Sequence, residues 1–186
     1  MVKWLVRLGL GLVGVLVLLV AAVFVAARFS DGPLGPIAGG SLRSGELVTE
    51  SAVDWNAVGA REVELELVAT GRSRLTGSFV HDGQLYIPCD LGFMWRRIPS
   101  AGFRAVARVL WTVKHWHEDA LRDGRVVLRI AGKRYERQAV RVTDPALLAA
   151  LRSIMEEKAA TYLKVKLSDA PADPDAIWFF RIDPRP

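Results

Sequence analysis

"RVVLRIAGKRYERQAVRVTD", Arg125 to Asp144, decides the fold class. Val126, Leu128 and Ile130 share one face of a two-residue period, Gly132 marks a turn, and Val140 and Val142 resume the alternation beyond it. Such a pattern predicts a β-hairpin with those five residues as core candidates. Asp144 followed by Pro145 then supplies an N-cap and a first-turn proline. A helix is predicted through "PALLAALRSIMEEKAATYLK", burying Leu148, Leu151, Ile154 and Met155.

Working outward, the same two-residue period recurs upstream. "REVELELV" sets Val63, Leu65 and Leu67 against Glu62, Glu64 and Glu66, the pattern of a half-buried antiparallel strand. "RLTGSFVHDGQLYIPCD" gives two strands around an Asp82-Gly83 turn. Near the C-terminus, "DPDAIWFFRIDP" is apolar on both faces, so it belongs in the middle of a sheet or against a partner. Between these elements Phe103, Val106, Ala107, Leu110 and Val113 fall at helical spacing and predict an inserted amphipathic helix. The chain therefore reads as mainly β (α+β): a small closed or partly open barrel of about six antiparallel strands with an inserted and a packing helix, or else a sandwich.

The first thirty residues are of another kind. Leu8 to Ala27 carries no charge and no proline, and twenty helical residues span roughly 30 Å, the thickness of a bilayer core. Residues 1–29 are expected to be a single-pass transmembrane anchor engaging the bilayer through residues 8–27; a cleavable signal peptide is the alternative. Lys3 and Arg7 on the N-terminal flank place the domain on the non-cytoplasmic side of the cell membrane. Residues 30–60 form a Gly/Pro-rich linker and extended segment, starting with "SDGPLGPIAGGSLRSGE", and residues 61–186 are the barrel domain.

The 186 residues hold 25 Lys+Arg and 20 Asp+Glu, but Lys3, Arg7 and Arg28 precede the domain, leaving 22 against 20 for the rest. A nearly neutral domain behind an anchor argues against nucleic acid. The charge is uneven, with twelve Lys/Arg against four Asp/Glu between Leu91 and Arg141, which suits a small-molecule or phosphorylated ligand. In "WTVKHWHEDALRDGR" the two histidines, His115 and His117, diverge by about 200° on a helix, so no metal site is expected. Lys114, Trp116 and Arg122 can instead wall an anionic or aromatic pocket, or the tryptophans can pack under the barrel while the cations reach solvent. The lone Cys89 reads as a small buried residue, and no side chain stands out as catalytic.

The order of these phrases, from "VHDGQLYI" through "LRDGRVVLRIAGKRYERQAVRV" to a terminal strand ending in "RIDP", resembles the split β-barrel of pyridoxamine 5′-phosphate oxidase-like proteins, and within it the deazaflavin-dependent nitroreductases. The resemblance covers Arg61 to Pro184. It implies a homodimer, an FMN or deazaflavin cofactor and hydride transfer to small electrophiles. It further implies that "GRSRLTGS" holds the cofactor phosphate through Arg72, Ser73, Arg74 and Thr76, with Lys114, Trp116 and Arg122 nearby. The alternative is a non-catalytic envelope module for ligand binding or dimerisation at the membrane surface.

Overall fold

The computed structural model describes residues 2–59, 62–93, 97, 100, 102, 115–163 and 173–185. The residues expected to form the inserted helix, Phe103, Val106, Ala107, Leu110 and Val113, and the candidate Lys114 lie outside the described residues.

The apolar N-terminal run forms helix α1, Val2–Phe29. Its stretch Gly9–Phe29 is 21 residues long, apolar enough to cross a membrane and almost wholly exposed. Beyond it come β1 (Glu46–Val48), α2 (Trp55–Val58), β2 (Glu62–Leu67), β3 (Arg72–Gly77), β4 (Phe79–His81), β5 (Gln84–Asp90), α3 (Trp116–Arg122), β6 (Arg125–Ile130), β7 (Lys133–Arg141), α4 (Pro145–Leu163) and β8 (Ile177–Pro184).

Seven strands pair in the order β3-β2-β6-β7-β8-β5-β4, each neighbouring pair antiparallel. The two ends of that path, β3 and β4, are separated in sequence only by Ser78, and β3 also lies against β5. The sheet thus curls back on itself as a barrel. β1 pairs in parallel with the first residues of β7, and β8 takes the later ones. The fold has eight strands rather than about six, because β1 is added and the run from Arg72 to His81 breaks at Ser78.

Local chemistry sets the turns. Asp82-Gly83 and Ala131-Gly132 both have positive φ at both residues, the left-handed pair that closes a two-residue hairpin along the natural strand twist. Asp144 accepts from the Leu147 N–H at 2.7 Å and so caps α4.

Alternation divides the side chains into two cores. Inside the barrel, Val63, Leu65, Leu67, Val126, Leu128, Ile87, Phe180 and Ile182 are buried, joined by Trp55 from α2 and Trp116 from α3. Outside it, Phe79, Tyr86, Ile177 and Phe179 are covered by α4, with Leu151 wholly buried at their centre. This outer layer explains why β8 is apolar on both faces: Phe180 points in and Phe179 points under the helix. Val140 departs from expectation, being 37% exposed. In β7 the inward positions are Tyr135, Arg137 and Ala139, so Val140 falls on the outer face opposite Arg181.

Residues 30–45 are irregular, as their glycines and prolines require, yet they pack against the barrel as a strap. Gly39 exchanges backbone hydrogen bonds with Ser73 at 2.9 and 3.2 Å, and the Leu42 N–H donates to the buried Glu66 carboxylate at 2.8 Å. Gly40 sits on the last carbonyls of α1: a Cβ there would lie 2.6 Å from Ser30 O and 2.7 Å from Arg28 O. A glycine is needed at that close approach.

Candidate functional site

Strand register sorts the predicted phosphate ligands onto two faces. Arg72, Arg74 and Thr76 are opposite Leu67, Leu65 and Val63, whose side chains are buried inside the barrel; paired residues of antiparallel strands share a face. Ser73 is opposite Glu66 on the outer face, fully buried, with its hydroxyl donated to Gly40 O at 2.5 Å. The structure therefore sets Arg72, Arg74 and Thr76 on one face of β3 and commits Ser73 to the strap.

Arg74 is the unusual member. Its guanidinium lies over the Trp116 ring, 5.6 Å from the centroid, a cation–π contact across the inner face. Its Nε is buried and has no hydrogen-bond partner among the described residues. Burial presses its pKa downward; Cys89 works the other way, Arg72 adds like-charge repulsion, and Asp119 opposes it. An arginine nevertheless keeps its charge. The result is a half-buried cation that makes no salt bridge among the described residues. Leaving such donors unsatisfied is costly.

Trp116 forms the floor beneath it. The first residue of α3, it is 3% exposed and stacks at a tilt on Phe180, with centroids 5.4 Å apart. It thus contributes both to the core and to the underside of Arg74. Arg122, at the other end of α3, is 72% exposed and pairs with Glu118 at 3.6 Å and Asp119 at 3.1 Å. The helical spacing that makes those i,i+3 and i,i+4 pairs turns Arg122 away from Arg74. His115 is exposed near Glu118, whereas His117 is buried edge-on to Trp178 at 4.7 Å. The two imidazoles therefore part company. Among the described residues no cluster of His, Cys, Asp and Glu could hold a metal ion.

A second arginine–aromatic contact was not foreseen. The Arg141 guanidinium lies 3.7 Å from the centroid of Trp178, the same ring that His117 meets. The signal was present in β8: once Phe180 faces inward, Trp178 must too, and it pairs there with Cys89. Cavities of about 300 and 400 Å³ flank β1, and one of about 260 Å³ lies beside Arg141, Thr143 and Arg181. None of these three is lined by Arg72 or Arg74.

No protein-family model and no curated protein matches the chain. Among solved structures it is similar to a protein assigned as a pyridoxamine 5′-phosphate oxidase from Listeria innocua, with a TM-score of 0.44 and 15% identity over 71% of this chain and 91% of that one. It is also similar to a FAD-binding protein from Mesorhizobium loti, with a TM-score of 0.41 and 13% identity over 72% of this chain and 88% of that one. At these values the likenesses add nothing to the strand order itself, on which the fold rests.

Proposed function

We propose that this chain is a membrane-anchored barrel protein that binds a phosphorylated planar ligand of the flavin class, FMN or a deazaflavin, at the face of β3 that carries Arg72 and Arg74. The observation that carries the reading is Arg74: a buried Nε with no acceptor, beside a second arginine and a hydroxyl on the same face. A phosphate supplies the missing acceptors and neutralises both guanidinium groups. Arg72 and Arg74 would hold it, Thr76 would donate its hydroxyl, and Trp116 would keep the Arg74 fork in place. Ser73 and Arg122 have other partners and are left out.

Such a ligand, when bound, accepts and returns a hydride, and small electrophiles would be its substrates. The protein's share is placement: guanidinium groups fix one end of the ligand, with Trp116 beneath Arg74. Two copies of the chain would pair, as in the family it resembles.

Retention of α1 as an anchor is supported by its junction with the barrel. Ala27 is wholly buried, Arg28 donates to Gly71 O at 3.2 Å and Thr70 O at 3.3 Å, and Ser30 returns to Ala27 O at 2.7 Å. Cleavage among these small residues would remove part of the domain's own packing. The flanking cations Lys3 and Arg7 favour a domain on the non-cytoplasmic face, which a reporter fused at the C-terminus tests.

The test of function is a titration of the detergent-solubilised full chain with FMN and with a deazaflavin, followed by ligand fluorescence. Saturable binding that weakens at least about tenfold in Arg72→Ala/Arg74→Ala is expected, the loss of one charge-assisted contact or more. Absence of binding by both ligands overturns the reading. It would leave a non-catalytic module held at the membrane, which the tight strap between α1 and the barrel favours.

A further inference from the structure

The exit of α1 from its apolar span carries cations that the barrel does not neutralise. Arg28 and Arg43 are both exposed, and both give their guanidinium hydrogens to main-chain carbonyls: Arg28 to Gly71 and Thr70, Arg43 to Phe29 at 2.9 Å. Neither has a carboxylate partner among the described residues. The acids nearby are engaged elsewhere. Asp31 and Glu64 are paired with Arg129, and Glu66 is buried beneath the strap against the Leu42 N–H. Between the two arginines Phe29 is 74% exposed at the last residue of the helix.

An aromatic ring and two unneutralised guanidinium groups at the end of a bilayer-length apolar helix lie at the depth of lipid headgroups. We infer that Arg28 and Arg43 form a docking site for an acidic phospholipid, whose phosphate meets both guanidinium groups while Phe29 sits at the acyl boundary. The strap makes the site rigid. Asp31 accepts the Arg43 N–H at 2.6 Å and the Ser44 N–H at 3.1 Å, so the segment bearing Arg43 cannot swing away from the helix end. A flexible tether would scatter the two charges; here they are held within one joint. The inference rests on α1 spanning the bilayer and is independent of any ligand at Arg74.

The test uses the full chain in micelles holding equal phosphatidylglycerol and phosphatidylcholine, without flavin, with retained lipid counted by native mass spectrometry. The acidic lipid is expected to be retained over the zwitterionic one by about fivefold, the equivalent of about 1 kcal/mol for cations at a membrane surface. Arg28→Gln/Arg43→Gln brings the ratio to parity, and Arg28→Lys/Arg43→Lys preserves it. Equal retention by the unaltered protein, or an undiminished preference in the glutamine variant, overturns the inference. If the glutamine variant does not fold, raised salt decides: the preference must fall as charge is screened, and a preference indifferent to salt overturns it. Because flavin is absent throughout, failure here leaves the flavin titration untouched.

Discussion

Arg129 and Arg74 stand on neighbouring parts of one barrel wall, both largely removed from water, and they have been treated in opposite ways. On the outer face Arg129 donates to both oxygens of Glu64, to Asp31 Oδ1 at 3.1 Å, to Asp31 O at 3.0 Å and to Ser44 Oγ at 2.9 Å. Its hydrogen bonds to Glu64 raise its pKa against the opposing effect of burial. On the inner face Arg74 has an aromatic ring and an unsatisfied Nε. A buried cation whose donors are all matched is a structural joint; one whose donors are not matched is a place where something else can bind. That difference separates the strap from the candidate site.

The largest expected effect comes from breaking the joint. Arg129→Ala strands two carboxylates, Asp31 and Glu64, that are one-third exposed or less. Removing one partner of a fully buried pair costs about 3–5 kcal/mol, and water reaching these acids reduces that to about 2 kcal/mol. Thermal unfolding of the solubilised protein measures it, and limited proteolysis should cut within residues 30–45 first. The same joint predicts a pH dependence. Burial would raise the pKa of Asp31, but hydrogen bonds from Ser44 and from the Arg43 and Ser44 N–H groups, together with Arg129, hold it well below the ordinary carboxylate value. A depressed folded pKa contributes stability that is present above the unfolded value, about 3.9, and lost as pH falls below it. Asp31→Asn should remove that acid-limb component.

The next prediction reverses the sign. In the ligand-free protein Arg74→Leu removes a buried donor with no acceptor and packs an apolar side chain on Trp116, so stability should rise by about 1 kcal/mol. Ligand affinity should fall at least about tenfold in the same variant. A loss of stability comparable to that of Arg129→Ala would show that Arg74 is a second joint and would erase the contrast between the two faces.

Much of this architecture could be read in the sequence because strands announce themselves by a period of two. The hairpins at Asp82-Gly83 and Gly132, the helix after Asp144 and the two-sided burial of β8 all follow from local patterns. What could not be read depends on distant partners. The glycines and prolines of residues 30–45 say only that the segment is irregular; that it is bound to Glu66, Ser73 and Arg129 depends on side chains 24 to 98 positions away. Val140 was misplaced for a related reason: both faces of β7 carry apolar residues, and only pairing with β8 tells them apart. In the candidate site, alternation alone could have separated Ser73 from Arg72 and Arg74, since neighbours in a strand point to opposite faces. Taking "GRSRLTGS" as a single phosphate-holding stretch concealed that.

The smallest effect tests the edge of the site. Arg122 lies in the basic stretch between Leu91 and Arg141, yet its charge is shared with Glu118 and Asp119 on an exposed helix face. Exposed pairs of this spacing contribute only about 0.3–0.5 kcal/mol. Arg122→Ala should therefore shift stability by no more than that and change flavin affinity by less than about twofold, both read in the same titrations. The comparison with Arg74 is then between two arginines that meet opposite ends of α3, one over the ring of Trp116 and one in water. Their unequal response would show that burial without an acceptor, rather than positive charge alone, makes the binding site.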